Sequence, residues 1–205
     1  LDAYSILYEY GLSTEFDEKV EDEAKKISAE ITKEEVKKRR DMRGDLTFTI
    51  DPVDAKDFDD AISFKKIEEN KYEVGIHIAD VSHYVRPGSK IDDEAQNRAT
   101  SVYLVDRVIP MLPETLSNNL CSLRPNEEKL TFSAVFIMNK NGDIKEEWFG
   151  KTITESDVRL SYEEAQHIIE TGEVNIPKDH TILKKEKKVT QKTAEAITTL
   201  NSIAK

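Results

Sequence analysis

The chain has 205 residues, 41 of them acidic and 30 basic, for a formal net charge of −11 at pH 7. That acid excess argues against an autonomous nucleic-acid binder, because phosphate contacts demand a basic face. No run of about 18 apolar residues exists for a membrane span or a signal-peptide core, so no membrane partner is expected; the single cysteine, Cys121, excludes an internal disulfide framework and fits a reducing, cytoplasmic setting.

In chain order, residues 1–12 carry Tyr4, Ile6, Leu7, Tyr8 and Tyr10. Thr14 with Asp17 is an imperfect capping box for a helix running to about residue 27, with Phe16, Val20 and Ala24 on its apolar face. Thr32 with Glu35 opens a second, short helix that ends in Lys37-Lys-Arg-Arg40. That basic run reads most simply as helix-dipole and solvation chemistry, with nucleic-acid contact the second reading. Strands are expected at about 46–51, 61–67 and 72–80, then a helix near 92–103 and a Pro-bounded irregular segment over 108–125. Residues 130–138 alternate as a strand, Lys140-Asn-Gly-Asp143 reads as a hairpin turn, and 144–153 returns as its partner. Ser161 with Glu164 caps a helix stopped by Gly172, and a final helix from about 188 shows a stripe of Ala196, Leu200, Ile203 and Ala204. The mixture of hairpin-linked strands and helices indicates an α+β (mixed α/β) fold with a mixed sheet and flanking helices.

The chemistry is concentrated in Asp51-Pro-Val-Asp-Ala-Lys-Asp-Phe-Asp-Asp60, which places Asp51, Asp54, Asp57, Asp59 and Asp60 within ten residues. Two unit charges about 4 Å apart cost roughly 4 kcal/mol at the effective dielectric of a protein surface. A solvated loop avoids that cost by splaying its side chains, but Ile50, Phe58, Ala61 and Ile62 interleave with the acids, so the segment is semi-buried and unpaired charge is expensive. A metal site is the better reading. Hard oxygen ligands without Cys or His suit magnesium, manganese or calcium rather than zinc. The calcium EF-hand pattern fails, because its third, sixth and twelfth positions would be Val53, Lys56 and Ile62. More carboxylates than one magnesium needs implies two ions, or one ion with an acid–base partner.

The run Thr49-Ile50-Asp51-Pro-x-x-Ala55-x-Asp57-x-Asp59-Asp60-Ala61 resembles the signature of the ribonuclease II / ribonuclease R family, exoribonucleases with an RNB catalytic domain. The blocks starting at His77-Ile-Ala-Asp-Val-Ser-His83 and at Arg98-Ala-Thr-Ser-Val-Tyr103 follow in the family's order, nearer its ribonuclease R branch. The resemblance implies processive, metal-dependent hydrolysis of single-stranded RNA from its 3′ end to nucleoside 5′-monophosphates. It carries the family's four catalytic aspartates onto Asp51, Asp57, Asp59 and Asp60. Asp51 and Asp60 would bind Mg2+ (or Mn2+) directly, Asp57 directly or through water, and Asp59 would orient or deprotonate the attacking water. Tyr103 aligns with the aromatic that stacks near the 3′-terminal base. From spacing alone, Ala95, Ala99, Val102 and Tyr103 could instead be a core stripe.

The resemblance further implies that residues 1–13 are the tail of a linker from an upstream cold-shock domain, and that 14–205 are the N-terminal portion of an RNB domain. Its missing second half would supply phosphate-gripping arginines, which answers the acidic balance. Starting at Leu1 and stopping mid-stripe, the chain reads as a cut piece, expected to be weakly active or inactive alone, with the full enzyme monomeric and no DNA partner. The alternatives are a non-catalytic RNB-like module binding RNA or protein, and a metal-stabilised scaffold. Asp54 is expected to be solvated, His77 to face opposite to Tyr72, Val74, Ile76 and Ile78, and Cys121 to be a small buried hydrophobe. His77 and His83 each read as structural or RNA-lining; His167 and His180 have no partner at metal-ligand spacing.

Overall fold

A computed structural model describes residues 3–104 and 107–205; Val105 and Asp106, Leu1 and Asp2, and the side chains of Ala3, Tyr4 and Ile6 lie outside the described part. Helix α1 (Ala3–Glu9) is followed by α2 (Glu18–Lys25), whose N-cap is Asp17 rather than Thr14: the Asp17 carboxylate accepts from the Lys19 amide. Helix α3 (Lys33–Lys37) begins at Thr32, whose hydroxyl accepts from the Glu35 amide. Next come β1 (Arg40–Asp41), β2 (Thr47–Asp51), β3 (Asp60–Glu68) and β4 (Lys71–Ala79). Then follow α4 (Val81–Tyr84), α5 (Lys90–Arg98), β5 (Val102–Tyr103), β6 (Val108–Ile109) and a single π-helical turn over Leu116–Leu120. The long hairpin is β7 (Glu128–Met138) with β8 (Ile144–Glu155); β9 (Val158–Ser161), α6 (Tyr162–Thr171), β10 (Asn175–Ile176), β11 (Lys187–Lys188) and α7 (Gln191–Ile203) complete the chain.

The helix expected over 92–103 is shorter and earlier. Ser89 caps α5, and the helix stops at Arg98 because Ala99 takes a left-handed conformation, with φ of 64°. Tyr103 therefore sits not on a helix but in a two-residue strand, opposite Val108.

The chain divides into two compact units. One comprises residues 1–30 with 81–121. Within it α2 buries Val20 and Ala24, α5 buries Ile91, and the Arg98 guanidinium lies 3.8 Å from the Phe16 ring centre while donating to the carbonyls of Ser13, Glu15 and Pro110. Cys121 is buried here, as a small hydrophobe would be.

The other unit comprises residues 31–80 with 122–205. Its seven-stranded mixed sheet has the order β1-β8-β7-β4-β3-β2-β9, antiparallel except at its margins, where β1 runs parallel to β8 and β9 parallel to β2. On one face Phe48, Phe64 and Val74 pack with Leu160, with Ile168 from α6 and with Ala194, Ala196 and Ile197 from α7. Helix α6 is fixed at both ends, by a reciprocal Ser161–Glu164 capping box and by left-handed Gly172.

Period-two alternation puts the opposite face in polar residues, and these are buried. Ser63, His77, Thr131, Ser133 and Thr152 are all no more than 2% exposed. His77 Nδ1 lies 2.6 Å from Ser133 Oγ, and the Thr131 and Thr152 hydroxyls are 2.6 Å apart. Beside this row, Lys37 and Lys38 are exposed, as a solvated helix end would be, but Arg39 and Arg40 are not. The fully buried Arg39 guanidinium donates to Asp80 at 2.7 Å and to the carbonyls of Thr131 and Thr152, while Arg40 stacks on Trp148 and pairs with Glu73.

Two outcomes follow. A Cβ at Gly75 would run into Ser63 Oγ and lie 2.7 Å from the His77 imidazole, so Gly75→Ala is expected to destabilise the chain by about 1–3 kcal/mol in urea titration. Burial also depresses His77 from 6.5 to about 4. The unfolded chain therefore takes up this proton first as pH falls, so the stability that neutral His77 contributes is complete above pH 6.5 and is lost on the way down to pH 4. Urea midpoints of wild type should fall across that window more steeply than those of His77→Asn, by up to about 1.4 kcal/mol per pH unit.

Candidate active site

Strand β2 lies between β3 and β9, and its last residue, Asp51, sits opposite Ser161 of β9. From there the chain leaves the sheet for eight residues and re-enters at Asp60, the first residue of β3, opposite Ile78. The acidic loop is thus the connection between two adjacent core strands. Both its ends are fixed by sheet registry.

Phe58 is buried and anchors the middle of the loop, while Asp54, Asp59 and Asp60 are exposed and Asp57 is half-buried. Asp51 is 8% exposed, and its Oδ2 is buried with no hydrogen-bond partner. Burial raises the Asp51 carboxyl above its usual range, against the opposing effect of the Thr49 hydroxyl; Asp60 and Asp57 add like charge and Arg159 offsets part of it. Partial desolvation pushes Asp59 up to about 6, although its side chain reaches solvent, and the charges of Asp57, Asp60 and Asp51 add to the rise. The four carboxylates therefore sense one another. Asp54 contributes nothing to either shift.

These residues fit a hard divalent cation. An orphaned, desolvated carboxylate oxygen among like charges is the condition that such an ion relieves. Among the described residues no three acidic, imidazole or thiol side chains are drawn together as a ready-made cage. Magnesium does not require one, since it keeps several waters and is held by one or two carboxylates plus substrate phosphate.

The loop is shaped through its backbone. Arg159 of β9 donates from Nη2 to the carbonyls of Pro52, Val53 and Ala55 at 2.9, 3.0 and 3.3 Å, and its guanidinium lies 4.6 Å from the Phe58 ring centre. Ser122 Oγ accepts from the Phe58 amide and donates to the Lys56 carbonyl, the Leu123 amide donates to the Phe58 carbonyl, and the Ala79 amide donates to the Asp59 carbonyl.

The RNB domain model matches residues 39–205. The chain belongs to that family. This RNB chain is 53% identical over 141 residues to a DIS3-like exonuclease 2 of Schizosaccharomyces pombe, and 46% identical over 164 residues to a ribonuclease R of Aquifex aeolicus. The matches take in 68% and 80% of this chain but 15% and 23% of those relatives. Among solved structures, Mycoplasma genitalium RNase R in complex with ribose-methylated single-stranded RNA superposes with a TM-score of 0.77 at 34% identity, over 83% of this chain and 26% of that one. The same enzyme in complex with double-stranded RNA gives 0.80 at 30% identity, over 97% and 33%.

Of the residues singled out in the sequence, this RNB fold gathers Asp51, Asp57, Asp59 and Asp60 on one loop. Tyr103 belongs to the other compact unit and is 64% exposed, which removes the core-stripe reading. His77 is structural, as described. His167 and His180, distant in sequence, bring their rings to 5.1 Å. Arg159 and Ser122 carried no sequence signal: an arginine between Val158 and Leu160 looks like an ordinary outward-facing strand residue.

If four like charges strain the cation-free loop, neutralising one should relieve it. Asp59→Asn is expected to raise the stability of the chain in EDTA at pH 7 by about 0.5–1 kcal/mol, a modest value because Asp59 is exposed and screened. Added magnesium should erase the advantage in thermal melts.

Proposed function

We propose that this chain carries the carboxylate wall of a 3′→5′ exoribonuclease that hydrolyses single-stranded RNA processively to nucleoside 5′-monophosphates. The observation that carries the reading is the buried, partnerless Asp51 oxygen within a cluster of four aspartates. Asp51 and Asp60 would hold a magnesium ion, or manganese in its place, with Asp57 contributing directly or through water. Such an ion, when bound, supplies an activated water and neutralises charge on the phosphate oxygens.

The exposed Asp59 carboxylate accepts the proton of the attacking water as that water's oxygen bonds to phosphorus. The bond from phosphorus to the neighbouring ribose 3′ oxygen breaks, and that oxygen takes a proton from solvent water and stays as the 3′ hydroxyl of the shortened RNA, while Asp59 returns its proton to solvent. The released nucleotide keeps the phosphate on its 5′ carbon. Tyr103 offers an exposed ring for a base near the 3′ end, an interaction worth about 1–3 kcal/mol and tolerant of any sequence. The RNase R complexes with RNA and the exonuclease name of the yeast relative support this substrate class.

The test is magnesium-dependent shortening of a 5′-labelled single-stranded RNA by the full natural protein that contains this chain. The expected outcome is a ladder receding from the 3′ end, slowed at least ~100-fold by Asp59→Asn. Equal cleavage by the variant would overturn the role given to Asp59. RNA bound but left intact by the wild type would overturn the nuclease reading in favour of a binding module.

A further inference from the structure

We propose that Arg159 is a positioning residue for the carboxylate cluster, clamping the first half of the acidic loop so that its aspartates stay together; this rests on reading the cluster as a cation site. Three features carry it. Arg159 stands opposite Thr49, so the guanidinium rises from the strand that borders the loop's own parent strand. From there one nitrogen reaches the carbonyls of Pro52, Val53 and Ala55. The plane also rests on Phe58, the buried residue between Asp57 and Asp59. One side chain thereby ties residues 52–55 to residue 58.

The choice of partners matters chemically. Among the described residues, the hydrogen bonds of Arg159 go to carbonyl oxygens and to no carboxylate. An arginine paired with an aspartate would occupy the oxygens a cation needs. Gripping carbonyls keeps Arg159 itself off those oxygens and still sets a positive charge beside Asp51, which offsets part of the repulsion there while no ion is bound. The second half of the loop is held separately, by Ser122 at Lys56 and Phe58 and by Leu123 at Phe58. Arg159 is thus the brace of residues 52–55.

The experiment measures two quantities on the same proteins: Mn2+ affinity by calorimetry, and amide hydrogen exchange of residues 53–60 in EDTA. In Arg159→Met, Mn2+ affinity should fall roughly 10- to 100-fold, the range for residues that orient metal ligands, and the loop amides should exchange faster. Lys187→Met serves as the control for general loosening of β9. It removes bonds of 2.7 Å to the Arg159 carbonyl and 2.6 Å to Glu164 without touching the clamp. It should lower the melting temperature and move neither readout.

Wild-type values of both readouts in Arg159→Met would overturn the proposal. So would both changes appearing in Lys187→Met. If Arg159→Met does not fold, Arg159→Lys, which loses the planar stack on Phe58, is judged by the same two readouts. If the wild type binds no Mn2+, the cation reading falls, and the exchange of residues 53–60 alone upholds or overturns the clamp.

Discussion

Four carboxylates on one short loop repel each other, and the restraints described above reach that loop through its backbone and through the buried Phe58 ring. The side chains of Asp51, Asp59 and Asp60 do not hold the loop in place. Sheet registry fixes Asp51 and Asp60, Arg159 fixes the carbonyls of residues 52–55, and Ser122, Leu123 and Ala79 fix the groups around Phe58 and Asp59. Attachment through backbone groups and the Phe58 ring does not draw on the carboxylates of Asp51, Asp59 and Asp60. The cost is carboxylates held partly out of water beside like charges: burial raises the Asp51 and Asp59 carboxyls first, and the neighbouring aspartates add to the rise.

The buried polar face of the sheet belongs to the same economy of positions. Strand β4 donates to the Asp59 carbonyl through Ala79, and the next residue, Asp80, is locked by the fully buried Arg39 guanidinium. A buried ion pair contributes little net stability, since desolvation offsets most of the attraction, but removing one partner is costly. Its service here is location. It pins the end of β4 against β7 and β8 through the carbonyls of Thr131 and Thr152, and the loop rests on that end.

Membership of the RNB family and the acidic composition are compatible once the charge is located. Part of the excess is the aspartate cluster itself, which a divalent ion would neutralise. The chain spans only 15% and 23% of the two curated relatives compared above, so phosphate-gripping cations need not lie within it. Among the described residues no helix is long and apolar enough to cross a membrane.

Local chemistry was legible in the sequence. Alternation marked strands 2, 3, 4, 7 and 8 to within a few residues, the Ser161–Glu164 box and Gly172 marked both ends of α6, and the spacing of Asp51, Asp57, Asp59 and Asp60 marked the candidate site, because each signal is written within one turn, one loop or one strand. The end of α5 at Ala99 was not legible, since alanine is a strong helix former and only the surrounding fold imposes its positive φ. Nor could the sequence reveal that Arg39 meets Asp80, that His167 meets His180, or that Arg159 grips a loop more than a hundred residues earlier. The sequence by itself marked which side chains are the candidates for the chemistry and which strands border them. Only the tertiary structure decided what restrains them, because those partners come together through strand order in the sheet, and pairings between β9 and β2 or β4 and β7 have no local signature.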